Sequence, residues 1–409
     1  MQSLSKKACT IIIAVTTALI LIFLTVSITL VVAGGGATGL AAGSKSDSDS
    51  YETRYRRLDE VYRYLMDRYY VEVDSDTLLQ GAIDGMMASL GDPFTFYFTP
   101  EEMSSTNQSR SGNYVGIGVQ VMRNEDNYIQ VTRVFSNGSA KEAGLIKNDI
   151  ICTADGVELR PQTDAELTEA VAVIKNGDIG TYTELGVLRG EEMFTVKVER
   201  RAVTQDRVEY EILEGDIGYI WLYDFFGNAI DGVSEALNYF NDNGVKGIVF
   251  DVRDNPGGSL EYCIRITDFF VDDSVIVYTE DRNGHRENYE GTPGKNELPL
   301  VVLVNGQSAS ASEIFSAAIQ EARTGTILGE TTYGKGIVQT QYPFPDGAGM
   351  QLTTSAYYTA SGKSIHKLGV TPDVEVAFDD TAMRDENRDT QLEAALALLL
   401  EQTGCTNEQ

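Results

Sequence analysis

The chain has 409 residues, 42% of them hydrophobic and 23% charged, which suits a globular protein of two or three domains and argues against long disorder. Its 61 acidic against 32 basic residues give a formal net charge of −29, so phosphate backbones are repelled and no nucleic-acid partner is expected. Four cysteines without CxxC spacing and only two histidines, His285 and His366, suggest neither a disulfide framework nor a zinc centre, and no metal is expected.

Residues 11–33 are uncharged and long enough to cross a bilayer, longer than the apolar core of about 7–15 residues in a cleaved signal peptide. Lys6 and Lys7 precede this run, so the positive-inside rule predicts residues 1–10 in the cytoplasm, a transmembrane anchor at 11–33 and everything after it outside the membrane. Residues 34–50, rich in Gly, Ser and Asp, form a flexible tether. Leu58, Val61, Tyr62, Leu65 and Tyr69 then recur at helical spacing. A second helix is predicted over 77–90, stopped by Gly91-Asp92-Pro93. Residues 51–109 are thus expected to be a small helical domain, its apolar stripe serving as core or as a homodimer contact.

Over 112–201 the pattern turns to strands, beginning with the glycine-rich Tyr114–Val121 stretch and continuing over 128–135 after a polar turn. A short helix is expected at 139–145, a longer one at 165–174 and a last strand at 194–200. With "SAKEAGLIKNDII" in the middle, this order resembles a PDZ domain. From residue 202 short apolar strands (218–222, 247–252, 298–304) alternate with helices (232–240, 260–270, 310–323), which predicts an α/β or α+β core. Residues 379–409 read as an acidic tail with one helix near 390–401.

Three segments of the core carry chemistry. The strand 300–304 runs through Asn305-Gly306 into "QSASASE", which places Ser310 at a helix start, where unpaired N–H groups and partial positive charge favour an oxyanion. Ser310-Ala311-Ser312-Glu313 also fits a capping box, and the segment alone does not decide between the two. "GETTYGKG" (329–336) nearly spells a phosphate-binding loop, but Gly336 stands where a Ser or Thr would hold magnesium, and a strand pattern follows where a helix is required. Read as a strand, this segment puts Lys335 and Gln339 on one face, with Tyr333, Ile337 and Val338 as apolar neighbours that lower the lysine pKa. Gln339 could then accept a hydrogen bond from the amine. Finally, "VFDVRDNPGG" (249–258) is a buried strand ending in glycines whose N–H groups can approach a carbonyl closely.

Taken together, "LGDPFTFY", the PDZ-like segment, "VFDVRDNPGGSL", "VLVNGQSASASEIFSAAIQEA", "GETTYGKGIVQT" and "LTTSAYYTASGKSIHKLGVTPDV" closely resemble the C-terminal processing peptidases, or tail-specific proteases, over residues 51–376. The resemblance implies a multidomain α/β (α+β) chain with a catalytic serine protease core at 202–378. It implies Ser310 as nucleophile, Lys335 as base and Gln339 as the residue that orients it, with Ala311 and Gly257 or Gly258 forming the oxyanion hole. It also implies that Gly116, Ile117 and Gly118 bind the C-terminal carboxylate of an unfolded or flexible polypeptide substrate, with no cofactor. His366, where relatives often have Gln, is expected at the rim of the cleft without a catalytic role. Glu321 stands where some relatives carry an important Asp. The competing reading is a membrane-tethered PDZ scaffold with an inactive core, which would bind tails without turnover.

Overall fold

The structure, a computed structural model, describes residues 51–404 apart from 125 and 387. The expected anchor at 11–33 and tether at 34–50 lie outside the described residues; among the described residues no helix is long and apolar enough to cross a membrane. The chain divides into two units, residues 1–81 and 82–409.

In the first unit the helix Tyr51–Arg68 buries none of its residues. The expected stripe of Leu58, Val61, Leu65 and Tyr69 is therefore exposed rather than packed in a core. The next helix, Ser75–Ala88, starts two residues earlier than predicted because the Asp74 carboxylate caps it, accepting from the Thr77 N–H at 2.8 Å. Residues 82–109, read from the sequence as part of the same small helical domain, fall in the larger unit.

Within the larger unit, the PDZ-like segment builds an antiparallel sheet in the order Val119–Arg123, Ile129–Val134, Ile150–Ala154, Tyr182–Arg189, Glu192–Glu199. Its core is its own: Ile129, Val131, Ile151, Leu185, Val187 and Val198 from alternating strand positions close over Ile174 of the helix Asp164–Lys175. The single strand expected at 114–121 is broken between Gly116 and Val119. There Gly118, at φ +84°, lies so close to Gly138 that a Cβ would sit 2.3 Å from its Cα.

The remaining core is a three-layer arrangement. A six-stranded sheet runs Val208–Leu213, Ile217–Leu222, Gly247–Asp251, Leu300–Val304, Thr326–Gly329, Val374–Glu375, parallel except for the first pair. Gly247–Asp251 and Leu300–Val304 are buried at all five positions, as central parallel strands covered on both faces must be. Helices Ala229–Asp242, Leu260–Thr267 and Ala311–Ala322 contribute Phe240, Cys263, Ile266, Phe315 and Ile319 to the core on one face. The helix Thr390–Thr403, read from the sequence as part of an acidic tail, covers the other face with Ala395 and Leu399 against Val249, Val301 and Leu328. A second sheet pairs Gly349–Thr359 with Ile337–Pro343, with Val275–Asp281 and, through Phe96–Phe98, with the N-terminal arm.

The tail helix is held by Arg253, which ion-pairs with Asp251 at 2.6 Å and with Asp389 at 2.7 Å, while Tyr219 donates to Asp251 at 2.8 Å. Arg253→Ala strands two carboxylates in a poorly solvated site, so we expect a loss of about 3–5 kcal/mol in urea unfolding. A loss below about 1 kcal/mol would show that the tail helix is held by its apolar face alone.

Candidate active site

Three neighbouring parallel strands each deliver one loop to the same end of the sheet. Gly247–Asp251 leads into the glycine turn, Leu300–Val304 into Ser310, and Thr326–Gly329 into the segment carrying Lys335. The carboxyl ends of adjacent parallel strands open onto one crevice, which is why residues nearly 80 positions apart in the chain can meet there. The crevice is a cleft of about 620 Å³ whose walls include Gly257, Gly258, Ser310, Ala311, Lys335 and Gln339. All six catalytic and oxyanion-hole candidates from the sequence are thus brought together.

The three serines of "SASAS" separate by environment. Ser308 and Ser312 are fully buried, donating to Val252 O at 2.7 Å and to Asn255 O at 2.9 Å. Ser310 is the one that faces the cleft. Its backbone has φ +56° and ψ −112°, a conformation that costs a non-glycine residue about 1–3 kcal/mol and is kept where surrounding contacts impose it.

Those contacts centre on Glu313. This carboxylate is fully buried and accepts four hydrogen bonds: Oε2 from the N–H groups of Ser310 and Lys335, both at 2.8 Å, and Oε1 from Gly334 N–H at 2.7 Å and Thr332 Oγ1 at 2.6 Å. The capping-box residue therefore also ties the Ser310 loop to the Lys335 loop. Tyr357 adds a second tie, its hydroxyl pointing at Ser310 O at 3.1 Å and at Lys335 O. Sequence reading missed both roles; the excess of donors around one glutamate has no local signature.

The glycine turn is fixed by Asn255, fully buried, whose Oδ1 accepts the Gly257 N–H at 2.9 Å while Nδ2 donates to Leu222 O at 2.8 Å. This engages the Gly257 N–H. The Gly258 and Ala311 N–H groups have no hydrogen-bond acceptor among the described residues, and both residues line the cleft. Gly257, at φ +98°, packs so closely that a Cβ would lie 2.6 Å from Ala309 O, 2.8 Å from Ala311 N and 2.9 Å from Ser310 Cβ. We expect Gly257→Ala to push these apart and abolish cleavage while the remainder of the chain folds, as circular dichroism and Tm would report; a variant with half of wild-type kcat/KM would contradict this packing.

Lys335 lies just before the strand Ile337–Pro343, and a register shift follows between Val338 and Gln339, so the expected alternation that would put Lys335 and Gln339 on one strand face is not formed. Nor does Tyr333 wall the amine; it is 59% exposed. The ring beside Nζ is Phe94, 4.3 Å from its centroid, contributed by the N-terminal arm. Burial lowers the Lys335 pKa below the ordinary lysine value, and the Asp92 and Glu313 carboxylates partly oppose this. Gln339 donates to Thr353 Oγ1 at 3.2 Å rather than bonding Lys335.

The other expected residues fall further out. His366 Nδ1 is approached by the Gly336 N–H at 3.4 Å, and His366 backs the lysine loop. Glu321 accepts from Thr359 Oγ1 at 2.8 Å and from Ser361 Oγ at 2.6 Å, pinning the turn after Gly349–Thr359. Burial pushes the Glu321 pKa up, but hydrogen bonds from Ser361 and Thr359 outweigh it and hold the carboxyl below its ordinary value. In the PDZ-like segment Ile117 O accepts the Ala140 N–H at 2.8 Å and Gly118 O the Phe135 N–H at 2.9 Å, so these two carbonyls are occupied.

A fold of this kind, with a serine at a strained helix start beside a half-buried lysine, defines a serine peptidase with a PDZ domain. A family model described as peptidase family S41 matches residues 216–376, a PDZ domain model matches 115–199, and a model of the activating protease CtpB N-terminal domain matches 35–102. The chain is 33% identical over 371 residues to the carboxy-terminal processing protease CtpA of Bacillus subtilis strain 168, covering 88% of this chain and 78% of that one. It is 29% identical over 381 residues to a probable CtpA-like serine protease of Staphylococcus saprophyticus, covering 91% and 76%. Among solved structures, a putative S41 protease from Bacteroides fragilis shares the fold, with a TM-score of 0.56 at 17% identity over 85% of this chain and 98% of that one. The chain belongs to peptidase family S41.

Proposed function

We propose that this serine peptidase engages polypeptides by their C-termini and cleaves them with a Ser–Lys pair on the outer side of the cytoplasmic membrane. The observation that carries the reading is the convergence of three strand-end loops on one cleft, with Lys335 depleted of proton affinity by burial. Neutral Lys335 takes the proton of the Ser310 hydroxyl as its oxygen attacks the scissile carbonyl. The resulting oxyanion is received by the Ala311 and Gly258 N–H groups, the former at the positive end of the helix Ala311–Ala322. The protonated lysine gives its proton to the leaving amine; neutral Lys335 then takes a proton from a water that attacks the acyl carbon, and returns it to Ser310 Oγ as the ester bond breaks and the acid product leaves. Gln339 lines the same cleft and does not bond the amine in this structure; with its amide nitrogen held by Thr353, its carbonyl oxygen is the acceptor to which the amine turns during turnover.

The Gly116–Gly118 loop, with the Ile117 and Gly118 carbonyls occupied and no room for a Cβ at Gly116 or Gly118, supports capture of a substrate's terminal carboxylate by N–H groups. The uncharged run at 11–33 supports a membrane anchor, and the exposed stripe of the helix Tyr51–Arg68 supports pairing with a second copy. The test is degradation of one unfolded protein made with a free or an amidated C-terminus. We expect the free form to be consumed faster through a lower KM, and equal KM values would remove the PDZ loop from recognition. In intact cells, added protease should digest the body of the chain; protection lost only on lysis would reverse the orientation.

A further inference from the structure

The "LGDPFTFY" segment has no role in the mechanism above, yet it forms a wall of the site. Asp92 folds back on its own turn, accepting from the Phe94 N–H at 3.0 Å and from Thr95 Oγ1 at 2.7 Å. The turn is then fastened to the strand Gly349–Thr359: Gln351 Nε2 donates to Phe94 O at 3.2 Å, Thr353 N–H donates to Thr95 Oγ1 at 3.0 Å, and Phe96 pairs with Gln351. Thr353 is also the residue that holds the Gln339 amide. Fastened this way, the arm sets the face of the Phe94 ring 4.3 Å from Lys335 Nζ, the closest approach of an aromatic ring to a lysine amine among the described residues.

We infer that Asp92 and Phe94 are positioning residues for the reaction: the ring fixes where the Lys335 amine sits, and the carboxylate sets how much of it is neutral. The inference rests on Lys335 being the base. A ring face and a nearby anion both favour the ammonium, whereas burial between them favours the amine. Two carboxylates act on the amine electrostatically, Asp92 from the arm and Glu313 from the nucleophile helix, and Arg110, Asp224 and Glu261 stand further along the same cleft. Glu313 is committed to four donors. Asp92 is the one of the two that a substitution can neutralise without cutting the tie between the Ser310 and Lys335 loops. Burial pushes its own pKa up, but hydrogen bonds from Thr353, Phe94 and Thr95 outweigh this and hold it below the ordinary carboxylate value, so it is anionic wherever the lysine titrates. An arm delivered from the N-terminal side of the chain thereby supplies the base with both a ring and a charge.

The test uses the full chain in detergent, carrying isotope-labelled lysine, with Ser310→Ala for NMR and intact Ser310 for kinetics. Asp92→Asn keeps the acceptor for the Phe94 N–H but removes the charge. We expect the Lys335 titration midpoint and the rising limb of kcat/KM to move together to lower pH, raising kcat/KM severalfold below the limb with KM unchanged. Asp92→Glu should restore the wild-type midpoint. Thr95→Ala, which loosens the turn but keeps ring and charge, should lower kcat at every pH without moving the limb. Phe94→Leu should abolish the upfield ring-current displacement of the Lys335 Hε signals and lower the plateau kcat. An unmoved midpoint in Asp92→Asn, or unchanged Hε signals in Phe94→Leu, would overturn the inference. Activity in Lys335→Arg would instead remove the base assignment, and the NMR midpoints would still report on the arm by themselves.

Discussion

Ser310→Ala is expected to abolish cleavage of an unfolded protein, by at least about 10⁴-fold in kcat, with a folded chain left behind. The fold should survive because the strained backbone at Ser310 is imposed by contacts that do not involve its hydroxyl: the N–H to Glu313 and the carbonyl to Tyr357. Alanine carries the same Cβ, so the stability change should stay within about 1–2 kcal/mol. Ser308→Ala and Ser312→Ala should show the opposite pattern. Each removes a buried hydrogen bond to Val252 O or Asn255 O, carbonyls that also accept a backbone N–H, at a cost of about 0.5–1.5 kcal/mol, and each should retain measurable cleavage. Unfolding curves and kcat on one substrate for the three variants separate stability from chemistry. Substantial turnover by folded Ser310→Ala would remove the nucleophile assignment.

Lys335→Arg should be as inactive as Lys335→Ala, although it keeps the charge. A guanidinium stays protonated at any accessible pH and cannot take the serine proton. The pH dependence follows from the sign of the shift. Burial lowers the folded-state lysine pKa, so the neutral, competent amine appears at lower pH than in an exposed lysine, and the rate should rise through a limb lying well below about 10.4. Gln339→Ala should be impaired yet active, because base and nucleophile remain while a constraint on the amine is lost. The measurement is kcat/KM against pH for wild type and the three variants. Lys335→Arg near wild type would exclude this base, and a limb at the ordinary lysine value would mean that burial does not act on it.

Much was legible in the chain because it is local. The strand-to-helix step at Ser310, the glycine turn at 257–258 and the departure of 329–336 from a phosphate-binding loop are all properties of short segments. Fully apolar runs such as Leu300–Val304 announce buried parallel strands, and the order of motifs carried the family. Local pattern did not fix surroundings. The stripe of Tyr51–Arg68 has helical period, but period does not say what covers it, and among the described residues nothing covers Leu58 or Val61. Alternation from Lys335 to Gln339 assumed an unbroken strand, and a strand start at Ile337 with a register shift two residues later removed it.

What the sequence by itself determined is the loops at the strand ends and the candidate groups they carry, since residue type and backbone freedom are written locally. Tertiary structure alone decided what surrounds them. Sheet order placed three strand ends side by side, Asn255 occupied the Gly257 N–H and so singled out Gly258, and Glu313 tied the serine loop to the lysine loop. It also brought Phe94, 241 positions before Lys335 in the chain, to 4.3 Å from the amine. The physical reason is that burial and Coulomb interactions depend on distance in space and on the exclusion of water, and neither is a function of separation along the chain.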